Sequence, residues 1–383
     1  MSITAPKGFR AAGTTAGLKD SGLPDLALVV NDGPVHAAAG VFTANRVKAA
    51  PVLWSQQVLC AGQVEAVVLN SGGANACTGP AGFADTHRTA EAVAASLGTG
   101  AARVAVCSTG LIGVRLPMDR LLPGIEKAAA TLSKSGGADA AEAIRTTDTV
   151  AKIAAAQGDG WSVGGMAKGA AMLAPALATM LAVLTTDAIA DASTLDAVLR
   201  VATASSFDRV DTDGCMSTND SVLLLASGAS GVTPDMADLQ AAVSAVCQDL
   251  ARQMVRDAEG ASKDIEIEVI GAASEADALE AARAVGRSNL LKCALHGNDP
   301  NWGRVLAAVG TTRAAFEPDQ LDVSINGVQV CRSSAPGDDR AGVDLSGRDV
   351  RIVVDLHAGT RIATLWTSDL TAEYVHENST YST

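Results

Sequence analysis

Aromatic side chains are scarce in this sequence. They make up 3% of its 383 residues, and alanine fills the apolar pattern in their place. Basic charge is also in deficit, with 29 Lys and Arg against 42 Asp and Glu, a net −13. With that balance and no basic stripe, a nucleic-acid partner is not expected. The cysteines Cys60, Cys77, Cys107, Cys215, Cys247, Cys293 and Cys331 form no Cys-x-x-Cys pair and no Cys/His cluster of zinc spacing, so no metal is expected. They read as buried free thiols of a reducing compartment. The opening MSITAPKGFRAAG lacks an apolar signal core, which points to the cytoplasm. No G-x-G-x-x-G follows a strand, no G-x-x-x-x-G-K-[ST] occurs, and GGMAKG at 164–169 has the wrong spacing for either. A G-x-S-x-G elbow and an H-E-x-x-H pair are missing too. The histidines His36, His87, His296, His357 and His376 therefore read as exposed or hydrogen-bonded structural residues, and a catalytic base need not be a histidine.

What is present is a large apolar fraction. Hydrophobic residues are 48% and charged residues 19%, so disorder is excluded and a sizeable core is expected. The length suits about two domains. Strand-like runs fall at 26–30, 65–70, 102–108, 221–228, 264–271 and 349–356, and helix-like runs at 83–97, 195–205 and 236–258. The alternation indicates an α/β protein. Gly260 reads as the stop of the last helix, and Asn326-Gly327 inside LDVSINGVQV reads as a hairpin turn. The strongest change of character comes near residue 255. The expected division is therefore a core over 1–255 and a smaller α/β domain over 256–383. Polar glycine-rich loops at 70–79, 107–113, 211–220 and 296–304 follow the apolar runs, where sites are commonly built.

One uncharged run, GAAMLAPALATMLAVLTT, is 18 residues long, from Gly169 to Thr186. A membrane span needs about 20 strongly apolar residues. Here the alanines, Gly169, Pro175 and three threonines favour a buried segment, with TMLAVLTT as a central strand after a loop. Thr179 then stands at the start of that strand. A threonine at a chain's N-terminus is a nucleophile that needs no histidine, because its own α-amine serves as the base. That amine has a pKa of about 7.7–8.0, low enough to be partly neutral at pH 7. For Thr179 to acquire one, the chain would cut itself between Ala178 and Thr179. A buried strand threonine is the plainer reading of the same residue.

MAKGAAMLAPALATMLAVLTTDA resembles the cleavage segment of the glutamate N-acetyltransferases, also called ornithine acetyltransferases, of arginine biosynthesis. Further matches span the chain: APKGFRAAGTTAGLK, FTANRVKAAPV, CSTGLIG, DTDGCMSTNDSVLLLASG, DAEGASK, HGNDPNWGRVLAAVG and ENSTYST. The style is closest to actinobacterial members. The resemblance implies a layered α/β sandwich with a smaller C-terminal α/β domain, and cleavage into an α chain, 1–178, and a β chain, 179–383, assembled as α2β2. Thr179 would be the nucleophile, and Thr109 and Gly110 would form the oxyanion hole. Thr146, Lys168, Thr179, Glu259, Asn378 and Thr383 would contact substrate. At the position before the Thr146 pair the family usually has Met, and this chain has Arg145. Without the resemblance, Thr109-Gly110 is a strand-end turn, Lys168 a solvated lysine beside the core, Glu259 a helix-end glutamate, and the C-terminus a disordered tail.

The implied reaction moves an acetyl group from N2-acetylornithine to glutamate in ping-pong order through acetyl-Thr179. No metal or organic cofactor is required, and acetyl-CoA is a possible second donor. Two rivals share the fold: the bifunctional enzyme that also uses acetyl-CoA, and an N-terminal-nucleophile amidohydrolase with water as acceptor. A non-catalytic scaffold with an uncut chain is the third.

Overall fold

The computed structural model describes residues 2–173 and 180–380. Ala178, Thr179 and Thr383, and Pro175 of the uncharged run, lie outside the described residues. The chain divides into two compact units. One holds the described residues up to Asp208 together with Cys215–Met254, and the other holds Arg209–Gly214 and the described residues from Val255 onward.

Among the described residues, nine strands build the first unit: β1 (Phe9–Thr14), β2 (Leu26–Asn31), β3 (Ala37–Phe42), β4 (Ala66–Asn70), β5 (Val104–Ser108), β6 (Lys152–Gln157), β7 (Ser162–Lys168), β8 (Leu181–Thr186) and β9 (Ser221–Ala226). They form a four-stranded sheet in the order β1-β2-β4-β5 and a five-stranded sheet in the order β3-β9-β8-β7-β6. Strands β2, β4, β5, β8 and β9 are buried at every residue, so their sequences are continuous apolar runs rather than alternating ones. Val29, Val67 and Ala105 of one sheet meet Met166, Val183 and Leu223 of the other in a single core between them. On the outer face of the four-stranded sheet, Leu28, Val68 and Val106 pack with Val93 of the helix Gly79–Leu97 and with Leu121 and Ile125 of the helix Met118–Ala130. Gly165 of β7 lies so close to the helix Met236–Arg256 that a Cβ there would stand 2.8 Å from Val246 and 3.0 Å from Leu250. The unit is thus layered helix, sheet, sheet, helix, the sandwich expected. The apolar run ends in β8, the middle strand of its sheet. Among the described residues no helix is long and apolar enough to cross a membrane.

In the second unit six strands lie in the order β13-β12-β11-β14-β10-β15. They are β10 (Asp264–Ala272), β11 (Asp322–Ile325), β12 (Val328–Arg332), β13 (Ala335–Pro336), β14 (Asp349–Asp355) and β15 (Arg361–Ser368). Ile265, Ile267, Val350, Ile352 and Leu365 face a core shared with Ala281, Val285, Leu291, Leu295 and Val309 of the helices Glu275–Gly286, Asn289–His296 and Trp302–Val309. Asn326 and Gly327 both take positive φ, 47° and 84°, as a two-residue hairpin turn between β11 and β12 requires.

Each expected strand run forms a strand whose ends fall within two residues of the expectation. Helices depart more. The one expected from 195 starts at Ala192, because the Asp191 carboxylate accepts the Thr194 N–H and caps it. The helix expected to reach 258 stops at Arg256. There the chain tightens into turns, with Ala258 N–H on the Val255 carbonyl at 3.1 Å and Gly260 at φ 60°, so Glu259 sits in the turn beyond the helix. Four cysteines correct the buried expectation: Cys60, Cys77, Cys215 and Cys293 are exposed, and only Cys107, Cys247 and Cys331 are buried. Cys60 directly follows a helix end, Cys77 and Cys215 lie in the polar loops, and Cys293 is on the solvent side of a short helix. The C-terminal segment is ordered as a helix, Ala372–Thr380, that carries Asn378.

Candidate active site

Three chain segments of the first unit meet at the N-terminal edge of β8. Antiparallel pairing of β7 with β8 sets Lys168 opposite Leu181, and parallel pairing of β8 with β9 sets Leu181 beside Ser221. The residues before β9 then face the residues before β8. Met180 N–H donates to Asp220 Oδ1 at 2.9 Å, and Ser221 N–H donates to the Met180 carbonyl at 3.3 Å. Next to Asp220, the Asn219 amide donates to the carbonyls of Ser108 at 2.8 Å and Ala74 at 2.7 Å. That bond ties the loop after β5, which starts with Thr109 and Gly110, to the loop that grips Met180.

The Thr109 turn is tightly built. Thr109 N–H donates to the Asn70 carbonyl at 2.9 Å, Gly73 N–H donates to the Thr109 carbonyl at 3.0 Å, and the Ser108 hydroxyl donates to Asn70 Oδ1 at 2.5 Å. Gly110 has φ 126°, and a Cβ there would stand 2.7 Å from Gly73 N, so only glycine fits. Among the described residues no acceptor takes the Gly110 N–H or the Thr109 hydroxyl.

Beside Lys168 lies a charged cluster centred on Asp148. Both oxygens of Asp148 are engaged. Oδ1 accepts Lys152 Nζ at 2.6 Å and Gly169 N–H at 2.7 Å, and Oδ2 accepts Thr146 N–H at 3.0 Å with Lys168 Nζ at 3.9 Å. None of the three charged side chains is more than 2% exposed. Burial opposes the charge on Asp148, but Lys168 and Lys152 outweigh it and hold the carboxyl well below the usual range. Lys19 joins the group, its ammonium held by the carbonyls of Pro24 at 2.9 Å and Arg145 at 2.6 Å. Burial lowers its pKa, Asp25 opposes that, and Lys168 lowers it further. Lys168 is therefore no solvated lysine: β7 carries it inside, where Asp148 is a buried counter-charge at 3.9 Å.

Of the residues singled out from sequence, the first unit brings Thr146 and Lys168 together around Asp148, and it links Thr109 and Gly110 to Met180 through Asn219 and Asp220. Glu259 and Asn378 belong to the second unit, where Asn378 Nδ2 donates to Glu259 Oε2 at 2.8 Å. Ala178, Thr179 and Thr383 are outside the described residues. Sequence reasoning missed Asp148, Lys152, Lys19, Asn219 and Asp220. The segments of all but Lys152 were visible, since RTTDT, AGLK and STND stand out as polar islands between apolar runs. Nothing local says which polar residue of each island turns inward.

The chain is 68% identical over 382 residues to the arginine biosynthesis bifunctional protein ArgJ of Streptomyces avermitilis, covering all of both chains. It is 67% identical over 382 residues to the protein of that name from Streptomyces coelicolor, again over the full length of both. A solved structure described as ornithine acetyltransferase complexed with ornithine, from Mycobacterium tuberculosis, is 65% identical with a TM-score of 0.45, over 45% of this chain and 94% of that one. The ArgJ family model matches residues 10–383, and the chain belongs to the ArgJ family.

Proposed function

We propose that this chain is a glutamate N-acetyltransferase of arginine biosynthesis, an acyltransferase that moves the acetyl group of N2-acetylornithine to glutamate. What carries the reading is the edge of β8. There the Thr109-Gly110 turn, tied through Asn219 to the Asp220 loop, and the buried Lys168 lie beside the start of β8, where Met180, the residue that follows Thr179 in the sequence, is anchored. The family's full-length match supports it.

Processing comes first. Thr179 Oγ bonds to the Ala178 carbonyl carbon, the Ala178–Thr179 C–N bond breaks, and the hydroxyl proton passes to the departing nitrogen, which becomes an α-amine. Water then opens the ester and leaves the Ala178 carboxylate. In the transfer, the α-amine takes the Thr179 hydroxyl proton as Oγ attacks the acetyl carbonyl of N2-acetylornithine. The tetrahedral oxyanion is held by the Thr109 hydroxyl and the Gly110 N–H, each worth about 3–4 kcal/mol. Ornithine leaves with that proton. Glutamate's amine attacks the acetyl ester by the reverse path and leaves as N-acetylglutamate. Lys168 and the Thr146 segment receive the α-carboxylate common to both amino acids. Glu259, Asn378 and Thr383 complete the substrate contacts. The two chains remain together as α2β2 in the cytoplasm. Because its relatives are named bifunctional, acetyl-CoA as a second donor is part of the proposal.

Denaturing mass spectrometry tests it. Two fragments meeting at Ala178/Thr179 are expected, with acetyl transfer from N2-acetylornithine dependent on glutamate. Thr179→Ala should remain one chain of 38.5 kDa without transferase activity. Two fragments from that variant, or acetate release without need of glutamate in the wild type, would sink the reading.

A further inference from the structure

HGNDPNWGR takes no part in the chemistry above, although it is one of the motifs that mark the family. Its histidine, His296, ends the helix Asn289–His296 of the second unit and turns Nδ1 toward Asp369, whose side chain is fully buried. The Asp369 carboxyl takes four donors. Oδ1 accepts the N–H groups of Ser262 at 2.9 Å and Lys263 at 3.0 Å, and Oδ2 accepts the Ser262 hydroxyl and, at 3.0 Å, His296 Nδ1.

A serine, a histidine and an aspartate this close resemble a hydrolytic triad, but the geometry rules one out. A relay needs the two imidazole nitrogens to face different partners. Here Nδ1 faces both, 3.0 Å from Asp369 Oδ2 and 3.1 Å from Ser262 Oγ, and the serine gives its hydrogen to the carboxyl. An ionised carboxylate only accepts, so Nδ1 carries the hydrogen and is no base toward Ser262.

The sheet gives the knot a different use. β10 and β15 run antiparallel with Asp264 opposite Ser368. One residue beyond that pair both chains leave the sheet, and the Asp369 side chain takes the two N–H groups that precede β10. From there one chain leads back to the turn at Glu259, and the other leads on to the helix Ala372–Thr380 that carries Asn378. The two stay in register further out. The Thr371 hydroxyl donates to the Gly260 carbonyl at 2.7 Å, a Cβ on Gly260 would stand 2.3 Å from Tyr374 N, and Asn378 Nδ2 donates to Glu259 Oε2 at 2.8 Å. An error in direction at Asp369 is therefore carried outward to both Glu259 and Asn378.

We propose that Asp369, its carboxyl oriented by His296, is a positioning residue for Glu259 and Asn378, joining the turn that presents one to the helix that presents the other. This rests on the reading that those two residues touch the amino-acid substrates. Asp369 and His296 act only through them, so their loss weakens binding of both amino acids and leaves acyl transfer through Thr179 and self-cleavage in place.

Steady-state kinetics with N2-acetylornithine and glutamate test this in Asp369→Ala, His296→Leu, His296→Asn and Glu259→Ala beside the wild type. In D369A, KM for both substrates should rise about 10- to 100-fold while kcat changes less than about threefold, because misplaced contacts are lost in the ground and transition states alike. H296L removes one donor from a half-exposed position and should raise KM by about three- to tenfold. H296N should return KM to within about twofold of wild type, since its amide can donate from nearly the place of Nδ1. Denaturing mass spectrometry should show each variant cut at Ala178/Thr179. KM unmoved in D369A and H296L overturns the proposal. So does a fall in kcat with KM unmoved, which marks a smaller folded fraction, and so does H296N no better than H296L. If D369A does not fold, the two His296 variants decide. An unchanged KM in E259A defeats the reading on which the proposal rests, whereas a raised KM there with unmoved values in D369A and H296L defeats only the role of Asp369.

Discussion

β8 and β10 are both apolar strands inside their sheets, yet they treat polar groups in opposite ways. β8 reads LAVLTT and is buried at all six residues, because a sheet covers one face and helices the other. Its polar groups are therefore all satisfied inside the protein: the Thr185 hydroxyl donates to the Ile3 carbonyl at 2.7 Å, and that of Thr186 to the Ser162 carbonyl at 2.9 Å. Even the charges near it are buried, as the Lys152–Asp148–Lys168 group beside β7. β10 reads DIEIEVIGA and alternates. Ile265, Ile267 and Val269 face the core, while Glu266 and Glu268 face outward, where Arg351 of β14 reaches them at 3.4 and 2.6 Å. The lesson is that the charges beside β8 sit where water cannot replace a lost partner, and those on the outer face of β10 sit where it can. A site that depends on ion strength and fixed geometry suits the first arrangement.

The contrast is broken most forcibly at Asp148. Asp148→Ala removes the buried counter-charge shared by two lysines, so unfolding free energy measured in urea should drop by about 3–5 kcal/mol. With its pKa depressed in the folded state, Asp148 contributes stability that is complete well above the unfolded carboxylate value of about 3.9 and is lost as pH falls below it. The variant's stability should accordingly vary less with acidification than the wild type's. A loss under about 1 kcal/mol would show that the lysines find water or other partners.

Packing tests the same difference on the apolar side. Leu184→Ala, at a fully buried β8 position whose side chain reaches toward Gly165, should cost about 2–5 kcal/mol. Glu268→Ala on the open face of β10 should stay within about 0.5 kcal/mol. Equal costs in the two strands would mean that the outer face of β10 is covered in solution.

The smallest effect belongs to the exposed ladder. Arg351, whose side chain is 57% exposed, should cost at most about 1 kcal/mol on substitution by alanine, and less at high salt. A larger and salt-insensitive cost would move the charges on the outer face of β10 into the same class as those beside β8.

Much of the fold is legible in the sequence where one segment decides its own form. LALVV, SVLLLA and LAVLTT are buried strands because no alternation interrupts them, and Asn326-Gly327 turns because both residues tolerate positive φ. The site is less legible. Thr109, Gly110, Thr146 and Lys168 drew attention through family motifs, not through any local signal. Asp148 and Asp220 drew none, although the structure gives them the most engaged and the least satisfied carboxyl oxygens at the edge of β8.

The sequence by itself determined the strand and hairpin patterns, the acidic and aromatic-poor surface and core, and the family. Those properties reside in single residues or short windows, where dihedral preference and side-chain period act locally. Tertiary structure alone decided that Lys168 is buried, that Asn219 reaches Ser108 across 111 positions, and that Asp220 grips Met180 across 40. Such contacts arise from which strands become neighbours, and two carboxylates in similar polar loops stay indistinguishable until the sheet places one against two lysines and the other, fully buried, against the start of β8.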